Sequence, residues 1–339
     1  MSGFVISAAY ADRLCTNKNL GGFVIRRFGR LFPLLVLATV LYVLASNSFL
    51  LIKIQLIEYG QAGILVHSDS LSYQWPTVLG VLTTLTFTHA LGMHDSLILN
   101  YVGWSVSVEF WTYILFELLV RTVPKRFHLA VFSAVLSVAF LVTLWASAIY
   151  HQCLTIGKCL DLTYDFSFAR YVFSFLLGVF ILNFREKGRR FEGEVQIVLL
   201  IVLLILFGLV TRIKSLAFIF PFVFALLIWS LSKDSGFAVR LLSGRVGKIL
   251  GERSFSIYML HPVLLALGFG PVASRMQSSL LAPVFIAVYL GVLLFLSRLT
   301  YRWFEVPLRR FFNTIADRYD GKTHPLGPIN PSPSSPKVA

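Results

Sequence analysis

The chain has 339 residues, of which 57% are hydrophobic and 14% charged, and its formal net charge is +14. A soluble domain carries about 25% charged residues, so this composition, with a mean hydropathy of +0.77, excludes an ordinary soluble fold and indicates a polytopic membrane protein. No aromatic-basic surface pattern or zinc-ligand spacing accompanies the positive excess, which therefore belongs to loops on one membrane face and not to a nucleic-acid surface.

The opening MSGFVISAAYADRL carries no charge before Asp12. A signal peptide has its basic residues ahead of the apolar core, whereas here Arg26, Arg27 and Arg30 follow it. The stretch is also shorter than the roughly 20 residues a crossing needs. It is neither a signal peptide nor a complete span.

In FVIRRFGRLFP, Arg27 and Arg30 are three residues apart and share a helix face. Pro33 suits the first turn of the span that follows. Cations at a helix start oppose its dipole, and a bound anion would relieve that. Two readings stand: an anchor on lipid headgroups, or a clamp for the phosphates of a soluble donor such as coenzyme A.

Apolar runs predict eight spans, at about 31–50, 104–122, 128–149, 168–184, 195–211, 215–232, 254–271 and 280–300. The segments rich in Lys and Arg are 18–30, 121–127, 185–194, 233–253 and the stretch after 301. The alternating loops are poor, with Lys53, Lys158, Arg212 with Lys214, and Arg275. All basic segments share the cytoplasmic face only if an even number of crossings lies between 51 and 103. The weaker stretch 76–98 is therefore expected to be re-entrant or interfacial. Its Thr83, Thr84, Thr86, Thr88, His89 and His94 suit a wet cavity, where irregular backbone is tolerated at membrane depth. The predicted fold is an all-α membrane domain over 1–312, with a disordered Pro/Ser-rich tail over 313–339 and both chain ends cytoplasmic.

The outer loop HQCLTIGKCLDL holds Cys153 and Cys159. A disulfide there fits an oxidising compartment, although spacing alone does not establish geometry. No metal site is expected.

Three further stretches carry polar groups into spans. In LNYVGWSVSVEFWTY, Ser105, Glu109 and Thr112 lie at i, i+4 and i+7 and make one stripe. A carboxylate inside a span is costly, so Glu109 is a functional candidate, with helix packing as the alternative. Trp104 and Trp111 read as interface or packing aromatics, and Glu117 is expected to pair with Arg121. In LGERSFSIYMLHPVLL, Ser254, Tyr258 and His261 repeat that spacing, with His261 about 10 Å into its span and a kink expected at Pro262. In LTYRWFEVPLRR, Glu305 is expected in a headgroup-level cluster with Arg302, Arg309 and Arg310. Arg170 lies near the outer end of its span, with Glu109 or a substrate as its partner.

Taken in order, these stretches resemble the acyltransferase 3 family of membrane O-acyltransferases. The matching elements are Arg27, Arg30, Leu31 and Pro33, then Trp104, Ser105, Ser107, Glu109, Phe110 and Tyr113. Gly251, Ser254, Phe255, Ser256, Tyr258, Met259 and His261 follow, and Glu305 and Pro307 close the series. Phe255, Met259 and Glu117 depart from the pattern, where Tyr, Leu and Pro are common. The resemblance implies transfer of an acyl group, often acetyl, from a cytoplasmic acyl-CoA to a glycan hydroxyl at a bacterial inner membrane, with lipopolysaccharide among the targets. It implies donor binding by Arg27 and Arg30, catalytic roles for Glu109 and His261, and acceptor contacts from Trp104, Ser105, Tyr258 and Arg170. No bound cofactor is implied. The expected partners are membrane lipids, acyl-CoA and a glycan acceptor. The family also places an Arg and an essential His on a span ahead of the Ser-Gly-Phe that appears here as Ser2, Gly3 and Phe4. By that pattern the base is absent from these residues. The alternatives are a transporter or flippase for a lipid-linked sugar, and an inactive fragment of the transferase.

Overall fold

A computed structural model describes residues 2–16, 20–59, 75–157, 159–183, 192–232, 236–270, 273 and 281–321. Lys18, Lys158, Arg185, Lys187, Arg189, Arg190, Lys233, Arg275 and residues 322–339 lie outside them, as do the side chains of Asp12, Cys15 and Lys53. Among the described residues every regular element is helical.

The chain runs α1 (Ser2–Thr16), α2 (Leu20–Glu58), α3 (Val78–Leu85), α4 (Gly103–Thr122), α5 (His128–Trp145), α6 (Cys153–Ile156), α7 (Ser167–Asn183) and α8 (Glu192–Leu209). It continues as α9 (Phe220–Leu231), α10 (Phe237–Leu242), α11 (Arg245–Leu264), α12 (Ala282–Thr300) and α13 (Val306–Tyr319). Single π turns extend α5 over Ala146–Tyr150 and α11 over Leu265–Phe269, and Tyr301–Glu305 joins α12 to α13. Four stretches are long and apolar enough to cross a bilayer: Gly21–Ile52, Lys125–Tyr150, Lys214–Leu231 and Ala282–Tyr319. α7 and α8 are apolar but shorter. α4 and α11 are less apolar because they carry the polar residues of the site described below.

Each expected span falls on a helix, but boundaries move. α2 starts at Leu20 and not near 31, so Arg27 and Arg30 sit about 10 and 15 Å inside a continuous helix. The dipole argument at a helix start does not apply to them, and Pro33 lies in the helix interior. The structural reason is the Gly21, Gly22 and Gly29 face. A Cβ on these residues would meet Tyr319, Asp320 and Phe312 at 2.3, 2.0 and 2.1 Å, so α13 packs antiparallel against the first turns of α2. Arg26 bonds Asp317 at 2.9 Å and Asp320 at 2.7 Å across the same seam. The helix thus continues past the expected domain boundary at 312.

α3 has eight residues, about 12 Å, too short to cross. Its capping residue Thr77 accepts from Gly80 N–H at 3.0 Å. The hydroxyls expected to line a wet cavity instead close on the segment itself. Thr83 and Thr84 donate to the Leu79 and Gly80 carbonyls at 2.8 and 2.7 Å, and Thr83 meets His94 Nε2 at 2.9 Å.

Beside α4, α1 packs on α7. The crossing is a glycine contact: Gly3 lies against the Phe175 carbonyl and Gly178 against Phe4 N. Small residues allow such close approach between membrane helices. Ser2 Oγ and Tyr171 Oη are 2.9 Å apart at the same crossing.

Cys153 and Cys159 form a disulfide. Its loop is pinned by the His151–Asp165 hydrogen bond, by Gly92 N–H donating to the Tyr164 carbonyl at 2.9 Å, and by Lys214 Nζ donating to the Thr155 carbonyl at 2.6 Å. α4, α7 and α9 all begin at this disulfide end of the bundle.

Candidate active site

α4 supplies the backbone of the site. Glu109 accepts a hydrogen bond from Tyr113, one turn further on. Arg30 and Arg27 of α2 lie within electrostatic reach of Glu109. The Arg27 guanidinium sits 5.6 Å over the Tyr113 ring and 5.4 Å over Phe23, and the residue is only 7% exposed. Arg30 is exposed. One cation is therefore locked among aromatic faces while its neighbour reaches outward, an arrangement that leaves Arg30 available to an anion.

Nearer the disulfide end, Ser105 donates to Tyr258 Oη at 2.9 Å, and Tyr258 donates to the Val102 carbonyl at 3.2 Å. The Arg170 guanidinium lies 4.6 Å over the Trp104 ring and donates to the Leu160 carbonyl. Tyr258 is within electrostatic reach of both Arg170 and Glu109. The structure thus brings Arg27, Arg30, Trp104, Ser105, Glu109, Arg170 and Tyr258 into one neighbourhood. Arg170 has no carboxylate within ion-pair distance among the described residues, so its pairing with Glu109 is not seen.

His261 joins through Tyr258. In a helix the Tyr258 carbonyl would accept from the N–H four residues on, but that residue is Pro262, which has none. His261 Nδ1 takes the freed carbonyl at 2.6 Å. A carbonyl only accepts, so Nδ1 carries a proton, and in the neutral imidazole the lone pair is then on Nε2. The Tyr101 and Tyr258 rings flank the imidazole at 6.3 and 5.7 Å. The helix that carries His261 begins at Arg245, about 24 Å before it and ahead of the span expected from 254. The kink expected at Pro262 is displaced. The irregularity falls in the π turn Leu265–Phe269, where Gly268 has φ 122°, and α-helical conformation runs through Pro262.

A family model described as an acyltransferase domain matches residues 1–302. The chain belongs to the acyltransferase 3 family. No curated protein and no solved structure matches it. As an acyltransferase 3 membrane protein, it brings polar side chains of α2, α4, α7 and α11 together.

The acyltransferase 3 domain also uses residues without an expected role. Ser107 donates to the Phe87 carbonyl at 2.5 Å and Trp111 Nε1 donates to the same oxygen at 3.0 Å. Phe87 has φ 57° and stacks on Phe110 at 4.4 Å. Asn100 donates to the Met259 carbonyl at 3.2 Å, and Ser167 to the Ala90 carbonyl at 2.7 Å. These bonds fix the segment after α3 over the start of α4. Their partners are backbone carbonyls distant in sequence, which no local spacing reveals. Replacing Ser107 with Ala and Trp111 with Phe together leaves the Phe87 carbonyl without either donor. The double variant should lose about 1–3 kcal/mol, read as a lowered Tm of the detergent-solubilised protein.

Two acidic residues differ from expectation. Glu305 is buried and accepts from Ser256 at 2.7 Å, with no ion pair to Arg302, Arg309 or Arg310 among the described residues. Glu117 is buried at 2% exposure and forms no ion pair with Arg121, which its helix turns outward.

Proposed function

We propose that this protein moves an acyl group, acetyl in the simplest case, from acyl-CoA to a hydroxyl of a cell-surface or exported polysaccharide at a bacterial inner membrane. The observation that carries the reading is the single neighbourhood formed by Arg27, Arg30, Glu109, Ser105, Tyr258 and Arg170 within a family of acyltransferases. The acyl carbonyl passes from the donor sulfur to the acceptor oxygen, the hydroxyl proton goes to a base, and the thiolate leaves as the thiol. Arg30, backed by Arg27, holds donor phosphates. Glu109 balances these cations and orients the reacting groups. His261 assists proton movement through Nε2, the nitrogen whose lone pair the Tyr258 carbonyl leaves free. Ser105, Tyr258, Trp104 and Arg170 face the acceptor. The disulfide suits an oxidising outer compartment, which puts the basic loops and the donor on the cytoplasmic side.

The test is label transfer from acetyl-CoA to cell glycans in isolated membranes. Replacing Arg27 and Arg30 with Ala should lower transfer by about tenfold for each donor phosphate no longer held, with the larger change in donor KM. Unchanged transfer in that double variant would remove the donor clamp. A transporter of lipid-linked sugar would move substrate without label transfer in the unaltered protein.

A further inference from the structure

A cavity of about 360 Å³ lies between α7 and α9 and shares Arg170 with the neighbourhood of Ser105 and Tyr258. Its two walls run in the same direction, because both helices start at the disulfide end. The polar side chains of the lining, Arg170, Tyr171 and Ser174, belong to the first turns of α7, and Leu160, Phe220 and Pro221 face them at the same end. Further along both helices the lining is apolar, with Phe224 and Ala225 on α9. From Arg170 to Gly178 the α7 wall covers about 12 Å. The volume is about twelve times the share of one liquid water molecule, and the lining beyond Ser174 carries no polar side chain: Gly178, Phe224, Ala225 and Ile228.

Arg170 makes this more than a void. Its guanidinium uses one donor on the Leu160 carbonyl and one face on Trp104. No carboxylate pairs with it among the described residues, Asp161 standing within electrostatic reach only. A cation held beside an apolar cavity at membrane depth calls for an anion. Arginine matches phosphate oxygens in a planar fork.

We infer that this cavity is a binding site for a phosphate-headed membrane amphiphile. Its phosphate sits on Arg170 and its hydrocarbon chain runs between α7 and α9. A polyprenyl phosphate and an anionic phospholipid share that chemistry. If the transferase reading holds, the site places a lipid-borne acceptor beside Ser105 and Tyr258. The binding itself is measured without any acyl donor, so its failure and the failure of the transferase reading are separate results.

The probes are farnesyl phosphate, phosphatidylglycerol, farnesol and inorganic phosphate, added to the full chain in detergent and followed by native mass spectrometry or calorimetry. Farnesyl phosphate or phosphatidylglycerol should bind about tenfold or more tightly than farnesol and inorganic phosphate, since a charge-assisted phosphate contact is at stake. Whichever of the first two binds more tightly identifies the source. Arg170→Gln should weaken that binding by about tenfold. Ser174→Trp, which fills the cavity from an exposed position and spares the core, should weaken it comparably. Equal binding of farnesol, binding untouched by both variants, or no binding of either phosphate-headed probe would each overturn the site.

Discussion

Replacing Glu109 with Gln is expected to lower acyl transfer by about 10²-fold or more while the protein still inserts and melts as before. Gln is nearly isosteric and still accepts the Tyr113 hydroxyl, so the hydrogen bond within α4 survives. What disappears is the carboxyl group's capacity to carry a negative charge within reach of Arg30 and Arg27. If Glu109 were only a packing acceptor between helices, the Gln variant would transfer at the wild-type rate. If its charge sets the electrostatics of the site, kcat falls and the Tm does not. The same variant read for donor KM separates the two halves of the site. A kcat effect places Glu109 at the reacting atoms, and a KM effect alone places it in the donor clamp. Wild-type transfer in the Gln variant would discard Glu109 as a catalytic candidate.

Gly3→Leu should produce the largest loss of stability. The new Cβ would fall 1.9 Å from the Phe175 carbonyl oxygen, and the atom it meets is backbone that cannot rotate away. α1 must then separate from α7, which also breaks the Ser2–Tyr171 hydrogen bond. A cost of about 2–3 kcal/mol is expected for such overpacking, visible as a lower Tm and faster proteolysis in detergent. Gly208→Leu is the control: no atom lies within 4 Å of its Cβ position, and a helical glycine gains roughly 1 kcal/mol of propensity on replacement. Equal melting of both variants would mean that the α1–α7 crossing contributes little.

Much of this architecture is legible in the sequence because bilayers demand long apolar runs, and these runs mark the helices directly. The α4 stripe of Ser105 and Glu109 is legible for a related reason: polar groups stand out against an apolar helix. Helix ends are less legible. Gly21, Gly22 and Gly29 carry no local signal in the sequence, yet they are the close-packed seam for α13, and only the partner helix reveals it. Residues 313–320 after the last apolar run read as the beginning of a tail for the same reason. Asp317 and Asp320 acquire a role only when Arg26 is beside them. The link between Pro262 and His261 rests on neighbouring residues but needs the side-chain conformation to appear.

Glu305 shows how one inserted residue can redirect a helix face. Leu293 and Ser297 of α12 point into the bundle. In an uninterrupted helix the next inward position after Ser297, two turns on, would be the seventh residue, Phe304. The π turn Tyr301–Glu305 accommodates one extra residue, and the eighth, Glu305, takes the inward place instead. A carboxylate is thereby delivered to Ser256, and Trp303 is turned out at 72% exposure. The phase of α13 is set by the same slip, so its acidic end meets Arg26 only because the helix before it is out of step by one residue.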